Sequence, residues 1–223
     1  MADDEVQIKV RETKSLSPQE RQAIIALFEA NYDRADPDYI ERSIQTLKYI
    51  ALATRSSDLV GFGFGESRIM PLPRLAAAEA VALAGMSCVD PNVRQRGLFS
   101  QMAFHVLSEG GNVPTNRPYL FCGRMAHAVS YRTIAKMSSA CVPKAGVSLT
   151  EWHQEMLFAA SEAFGVTVDP KTGLVKGSGR PVGFPKLEFE PTQEEQLLFR
   201  DVDRSNGDSL LVLAWLPTAP TGW

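Results

Sequence analysis

Polar and apolar residues alternate from the start of the chain: Val6, Ile8 and Val10 against Gln7, Lys9 and Arg11. A period of two puts one set on a covered face, so residues 6–10 are expected to form a half-buried strand. The period then lengthens. Ser17-Pro18-Gln19-Glu20 is a helix start, with a serine cap, a proline in the first turn and a glutamate placed to reach back to the cap. Ile24, Leu27 and Phe28 share one face of a helix that runs to about Ala30. Residues 31–37 break the pattern. A second helix from Asp36 or Pro37 carries Tyr39, Ile40, Ile44 and Leu47. Strands are expected over 49–54 and 59–64, on either side of a turn at 55–58, with a loop at 67–73.

Residues 79–89 are apolar on both faces after Glu79, as befits a strand covered on both sides. A turn leads from there into a helix over 98–107, with Leu98, Met102, Val106 and Leu107 inward and Gly110-Gly111 as its stop. Residues 118–123 form another buried strand, and 127–137 a helix with Tyr131 and Ile134 on one face. A second capping signature at 148–151 opens a long helix with Trp152, Met156, Ala160 and Ala163 on one stripe, ending at Gly165. Beyond it the pattern predicts a small hairpin over 166–175, a loop over 177–185, a strand at 187–190, a helix over 192–200 and a last strand over 209–216.

Gly61-Phe62-Gly63-Phe64-Gly65 has the look of a nucleotide-binding loop, but no helix pattern follows it. It reads instead as a strand with Phe62 and Phe64 on one face and glycines that admit close neighbours.

Composition narrows the class. The chain has 223 residues, 44% of them hydrophobic, enough for one large domain spanning 1–223, with a core at about 6–139 and an extension with a closing strand at about 140–217. A net charge of −3 argues against general nucleic-acid binding. Three cysteines without paired spacing point to reduced thiols, and Cys88 and Cys122 lie in apolar runs as small core residues. No signal-peptide pattern is visible at the N-terminus and no run approaches the length of a membrane span, so a cytoplasmic, membrane-free protein is expected. No Cys/His spacing suggests a metal, and no nucleophile elbow appears.

The chemistry concentrates at Val89-Asp90-Pro91-Asn92-Val93-Arg94-Gln95-Arg96-Gly97-Leu98-Phe99-Ser100. Here a buried strand turns into a helix N-terminus, where unpaired N–H groups and the positive end of the helix dipole make an anion site. Arg94 and Arg96 add charge, Gly97 lets a phosphate approach the backbone, and Ser100 offers a hydroxyl. The other reading is an ordinary strand–helix turn with solvated arginines.

Arg94-Gln95-Arg96-Gly97-Leu98-Phe99, preceded by Val89-Asp90-Pro91, resembles motif A of the GNAT acyltransferase superfamily. The order of expected elements from the first strand to the fourth helix also resembles that family. The resemblance implies an α/β (α+β) fold with a mixed, mostly antiparallel central sheet and helices on both faces. Its closing hairpin would be split by the long insertion. It implies acetyl-CoA or coenzyme A as co-substrate and no metal. Backbone groups of Ser87, Cys88 and Val89 would pair with the pantetheine amides, and N–H groups from Gln95 through Gly97, Leu98 and Phe99 to Ser100 would hold the pyrophosphate. The family's second contact, after the next strand, falls on His127 and Ser130. Its general-acid tyrosine falls at Ile134, and Tyr131, one turn away, is the stand-in; a tyrosine on an apolar helix face is otherwise a core residue with its hydroxyl tied off.

A base must lie within hydrogen-bond reach of the attacking amine. Glu79 and Glu66, at strand ends, are the candidates, each of which also reads as a solvated terminus. Tyr32, Asp33, Tyr39 and the loop at 69–75 are the candidate acceptor readers. The expected activity is N-acetyl transfer from acetyl-CoA to a small-molecule amine by direct attack in a ternary complex. Two alternatives stand beside it: a longer or unusual acyl donor, given the bulk of Phe99, and a non-catalytic module that binds CoA or a partner. Leu210–Leu216 is a core strand by default and otherwise a homodimer edge.

Overall fold

The structure is a computed structural model that describes residues 5–93, 97–114 and 116–223. In chain order its elements are β1 (Gln7–Glu12), α1 (Pro18–Asn31), β2 (Tyr32–Asp33), α2 (Pro37–Thr46), β3 (Tyr49–Arg55), β4 (Asp58–Met70), β5 (Glu79–Val89), α3 (Leu98–Ser108), β6 (Tyr119–Met125), α4 (Ala128–Met137), β7 (Cys141–Val142), α5 (Glu151–Phe164), β8 (Leu174–Val175), β9 (Phe184–Pro185), α6 (Gln193–Phe199) and β10 (Ser209–Leu216). This is a mixed α/β chain whose described strand pairings are antiparallel. From the first strand to the fourth helix the expected order of elements is observed, with one addition, the two-residue β2 between α1 and α2.

The chain divides into two compact units. The first comprises Met1–Ser67, Ala84–Gly111 and Val182–Lys186. In it β1 lies against β3 and β3 against β4, with Gln7 opposite Thr54 and Tyr49 opposite Gly65. The α1 capping box is formed: Glu20 N–H donates to Ser17 Oγ at 3.2 Å and Ser17 N–H to Glu20 Oε2 at 2.8 Å. Ile24, Leu27 and Phe28 are buried, as their spacing requires. The glycines of β4 admit neighbours as expected: a Cβ on Gly63 would lie 2.8 Å from Ser87 Oγ, and one on Gly61 3.2 Å from the Met102 side chain.

One boundary is corrected. The strand expected to end at 64 continues to Met70. The reason is polar: Glu66 is buried in the strand, where its carboxylate accepts from Lys48 N–H at 3.0 Å.

The second unit comprises Arg68–Leu83, Asn112–Pro181 and Leu187–Trp223. Its axis is β10, every residue of which is buried. β6 pairs along it from Leu210–Met125 to Leu216–Tyr119, and β7 pairs with it through Leu213–Val142 and Ala214–Cys141. The closing hairpin is therefore split, with residues 143–208 between its strands. The hairpin expected over 166–175 reduces to a single bridge, Val168 with Val175. β8 joins β10 instead, through Ser209–Val175 and Leu210–Leu174, because the longer apolar strand offers more partners than the three residues before the turn.

The strand expected at 187–190 does not form. Phe189 is engaged through its side chain, 4.2 Å beneath the Arg132 guanidinium and 5.1 Å from the His127 ring. Arg132 also pairs with both carboxylate oxygens of Glu195, fixing α6 to α4. Asp208, fully buried, accepts from Lys176 Nζ and Gly177 N–H, each at 2.8 Å, and from Asn206 Nδ2 at 2.5 Å. The loop before β5 is held to α5: Trp152 Nε1–H donates to Pro73 O at 2.9 Å and Arg74 grips Glu155 at 2.8 Å. Among the described residues no helix is long and apolar enough to cross a membrane.

Candidate functional site

β5 is buried at Ala80–Leu83 and again at Cys88 and Val89, yet Ala84, Gly85, Met86 and Ser87 are only half-buried. A strand in mid-sheet normally has no such break in its burial. Here solvent reaches a strip of residues toward the strand's C-terminal end. The sequence gives no sign of this, because all four side chains are small or apolar.

The strip leads to α3. Gly97 caps that helix in the left-handed conformation, φ +68°, which only glycine adopts freely. It brings no side chain to the terminus, and among the described residues a Cβ placed there would meet Gln101 Nε2, at 3.9 Å. The first-turn N–H groups of Leu98, Phe99 and Ser100 have no intrahelical acceptor by helix geometry. Leu98 plugs into the core, while Phe99, 40% exposed, and Ser100 face outward. Arg94, Gln95 and Arg96 lie outside the described residues. Cys88 is buried with its thiol against Leu27 O at 3.8 Å, so its side chain belongs to the core.

Of the candidate acceptor readers, Tyr32 meets the strip. Its hydroxyl donates to Ser87 O at 3.4 Å and its ring tilts against Phe28 at 4.7 Å. Tyr39 stays half-buried under the Arg42 guanidinium, 5.7 Å from its ring centre. The segment that holds Tyr32 is absent from the sequence reading: β9 pairs Pro185 with Tyr32 and Phe184 with Asp33. Pro181, Gly183 and Pro185 disguise it as a loop; the apolar alternation of Val182 and Phe184 is the one signal it leaves.

The second unit holds the remaining candidates. Glu79 is half-buried at the head of β5. His127 is the N-cap of α4, and its Nδ1 accepts from Val129 N–H at 3.2 Å. Burial holds its pKa below the usual imidazole value, aided by Arg204 and opposed by Glu195, a direction that favours the neutral ring this cap needs. Ser130 N–H donates to His127 O at 3.1 Å within the same turn. Tyr131, the stand-in acid, takes the place its other reading gave it, a core residue with its hydroxyl tied off. It is 8% exposed, its hydroxyl donates to Pro143 O at 3.0 Å, and burial with the neighbouring Cys141 raises its pKa well above the usual phenol. Among the described residues no group of three or more His, Cys, Asp or Glu side chains converges as a metal site.

Neither protein-family models nor curated proteins match the sequence. Solved structures similar to it include diaminobutyrate acetyltransferase from Paenibacillus lautus, with its substrate and coenzyme A: 12% identity, 98% of this chain and 99% of that one, TM-score 0.43. Arabidopsis thaliana NAA60 with acetyl-CoA is similar at 13% identity over 62% of this chain and 90% of that one, TM-score 0.43. An aminoglycoside N-acetyltransferase with CoA is similar at 14% over 61% and 90%, TM-score 0.41. All three are acetyltransferases, each solved with coenzyme A or acetyl-CoA bound.

Proposed function

We propose that this chain is an acyl-CoA-dependent N-acyltransferase of the GNAT type that acetylates a small-molecule amine. The observation that carries the reading is the half-buried strip Ala84–Ser87 running toward a helix whose N-cap is a left-handed glycine. The backbone of Ser87, Cys88 and Val89 pairs with the amides of pantetheine. The N–H groups around Gly97, with Arg94 and Arg96, hold the pyrophosphate, for which an uncapped helix terminus is suited. Transfer is direct: the amine nitrogen bonds to the thioester carbon, the C–S bond breaks, the nitrogen loses a proton to water and the thiolate takes one up. No nucleophilic side chain is needed, and the three cysteines are buried away from such a role.

Isothermal titration with coenzyme A tests the reading. The expected result is binding that Arg96→Glu combined with Gly97→Asp abolishes. No binding by the unaltered chain, or binding that survives the double substitution, overturns it.

The commitment of the Tyr131 hydroxyl to Pro143 O favours a second reading, a module that binds coenzyme A without turnover. Thiol release from acetyl-CoA in the presence of an amine removes that reading.

A further inference from the structure

All three tryptophans of the chain meet in the second unit, and one histidine stands among them. The Trp223 ring lies 4.6 Å from that of His153, 5.5 Å from Trp152 and 6.0 Å from Trp215, each in an edge arrangement. Trp223 fastens the segment 217–223 that follows β10, since its Nε1–H also donates to Ala140 O at 3.1 Å.

His153 is 9% exposed and completes the α5 capping box: Thr150 N–H donates to its Nδ1 at 3.2 Å, and its own backbone N–H donates to Thr150 Oγ1 at 3.2 Å. An accepting Nδ1 puts the proton of the neutral ring on Nε2. That atom is buried and has no hydrogen-bond partner among the described residues. The polar atoms of the surrounding rings are donors too. Trp215 Nε1–H is buried and likewise unpartnered, Trp152 Nε1–H is spent on Pro73 O and Trp223 Nε1–H on Ala140 O. No charged residue occurs in β10 or in 217–223. Glu151 and Glu155, two positions to either side along α5, do not share the histidine's face and are turned to Arg74. A second proton would therefore take the acceptor from Thr150 N–H and bury a cation among donors and apolar rings, a cost removed when the ring reaches water.

We propose that His153 is the proton-sensitive catch of a latch formed by residues 217–223: the neutral ring holds Trp223 in place, and protonation expels the ring and releases the segment. Burial lowers the pKa of His153 below the usual imidazole value, about 6.5. The closed latch is fully favoured above that pH and loses favour as pH falls below it.

Tryptophan emission of the full chain tests this, because every indole lies in the cluster. The emission maximum and acrylamide quenching are followed from about pH 8 to about pH 5, with far-UV circular dichroism as the measure of global folding. A reversible red shift with greater quenching is expected, with a midpoint below about 6.5 and no loss of helix signal. His153→Gln keeps an acceptor for Thr150 N–H, as glutamine does in a capping box, and cannot titrate; its emission should stay flat across the window. Trp223→Ala removes the latched ring and should abolish the step as well. No step, a blue shift such as a cation held over an indole face would give, a step that persists in either variant, or loss of helix signal at the same midpoint overturns the proposal.

Discussion

Two helices in this chain begin just after a central strand, and they begin differently. At α3 the cap is Gly97, left-handed and without a side chain, so the cap itself offers the first-turn N–H groups no side-chain acceptor. At α4 the cap is His127, whose ring accepts from Val129 N–H, and the next helical turn commits its tyrosine to Pro143 O. A helix terminus needs its N–H groups satisfied by something. Where the chain supplies the acceptor, the terminus is structural; where it withholds one, the terminus is suited to an anionic ligand. The second unit extends the same habit, since Asp208 gathers the donors around it into a closed network.

The contrast breaks most sharply at Gly97. Gly97→Val forces a β-branched residue into φ +68° and re-aims the first-turn donors. Coenzyme A affinity is expected to fall about a hundredfold, the worth of one or two charge-assisted hydrogen bonds, as measured by calorimetry. An unchanged Kd would deny α3 its role.

Asp208 sharpens the closed side. Burial raises its pKa, but hydrogen bonds from Lys176, Gly177, Asn206 and Asp203 outweigh that and hold it down at about 2. A carboxyl depressed in the folded state stabilises above its unfolded pKa, near 4, and that contribution is lost as pH falls toward 2. On the order of 2 kcal/mol should disappear across this window in urea unfolding, and Asp208→Asn should flatten the dependence.

At α4, His127→Ala should cost about 1 kcal/mol of stability, as loss of an N-cap does, and His127→Asn should restore most of it. Coenzyme A affinity should change less than about twofold if this cap is structural; a tenfold loss would give α4 a share of the cofactor. The smallest effect belongs to Tyr131→Phe. Stability should drop by about 1 kcal/mol and kcat should hold within about threefold, whereas a true general acid would cost a hundredfold or more.

Much of this was legible in the residues. The capping box at Ser17 formed as its spacing required, while the one read at 148–151 moved to Thr150, whose partner is His153. The strap at 182–186 was not legible, because β9 is two residues long and its partner lies about 150 positions earlier. A pair that short carries no period to read, and its proline and glycine look like a loop.

The sequence by itself determined most of the elements and the motif that resembles an acyltransferase's. Those properties reside in residues close along the chain: a period, a cap, a glycine between a strand and a helix. Tertiary structure alone decided where the tyrosine hydroxyls went. It sent the Tyr131 hydroxyl into the core and the Tyr32 hydroxyl to Ser87 O, though both are tyrosines beside helical segments. It also left a window of half-buried residues at Ala84–Ser87 in a strand that reads as uniformly covered. The physical reason is that a hydrogen-bond partner or a gap in packing depends on what the rest of the chain brings alongside, and no local pattern encodes that.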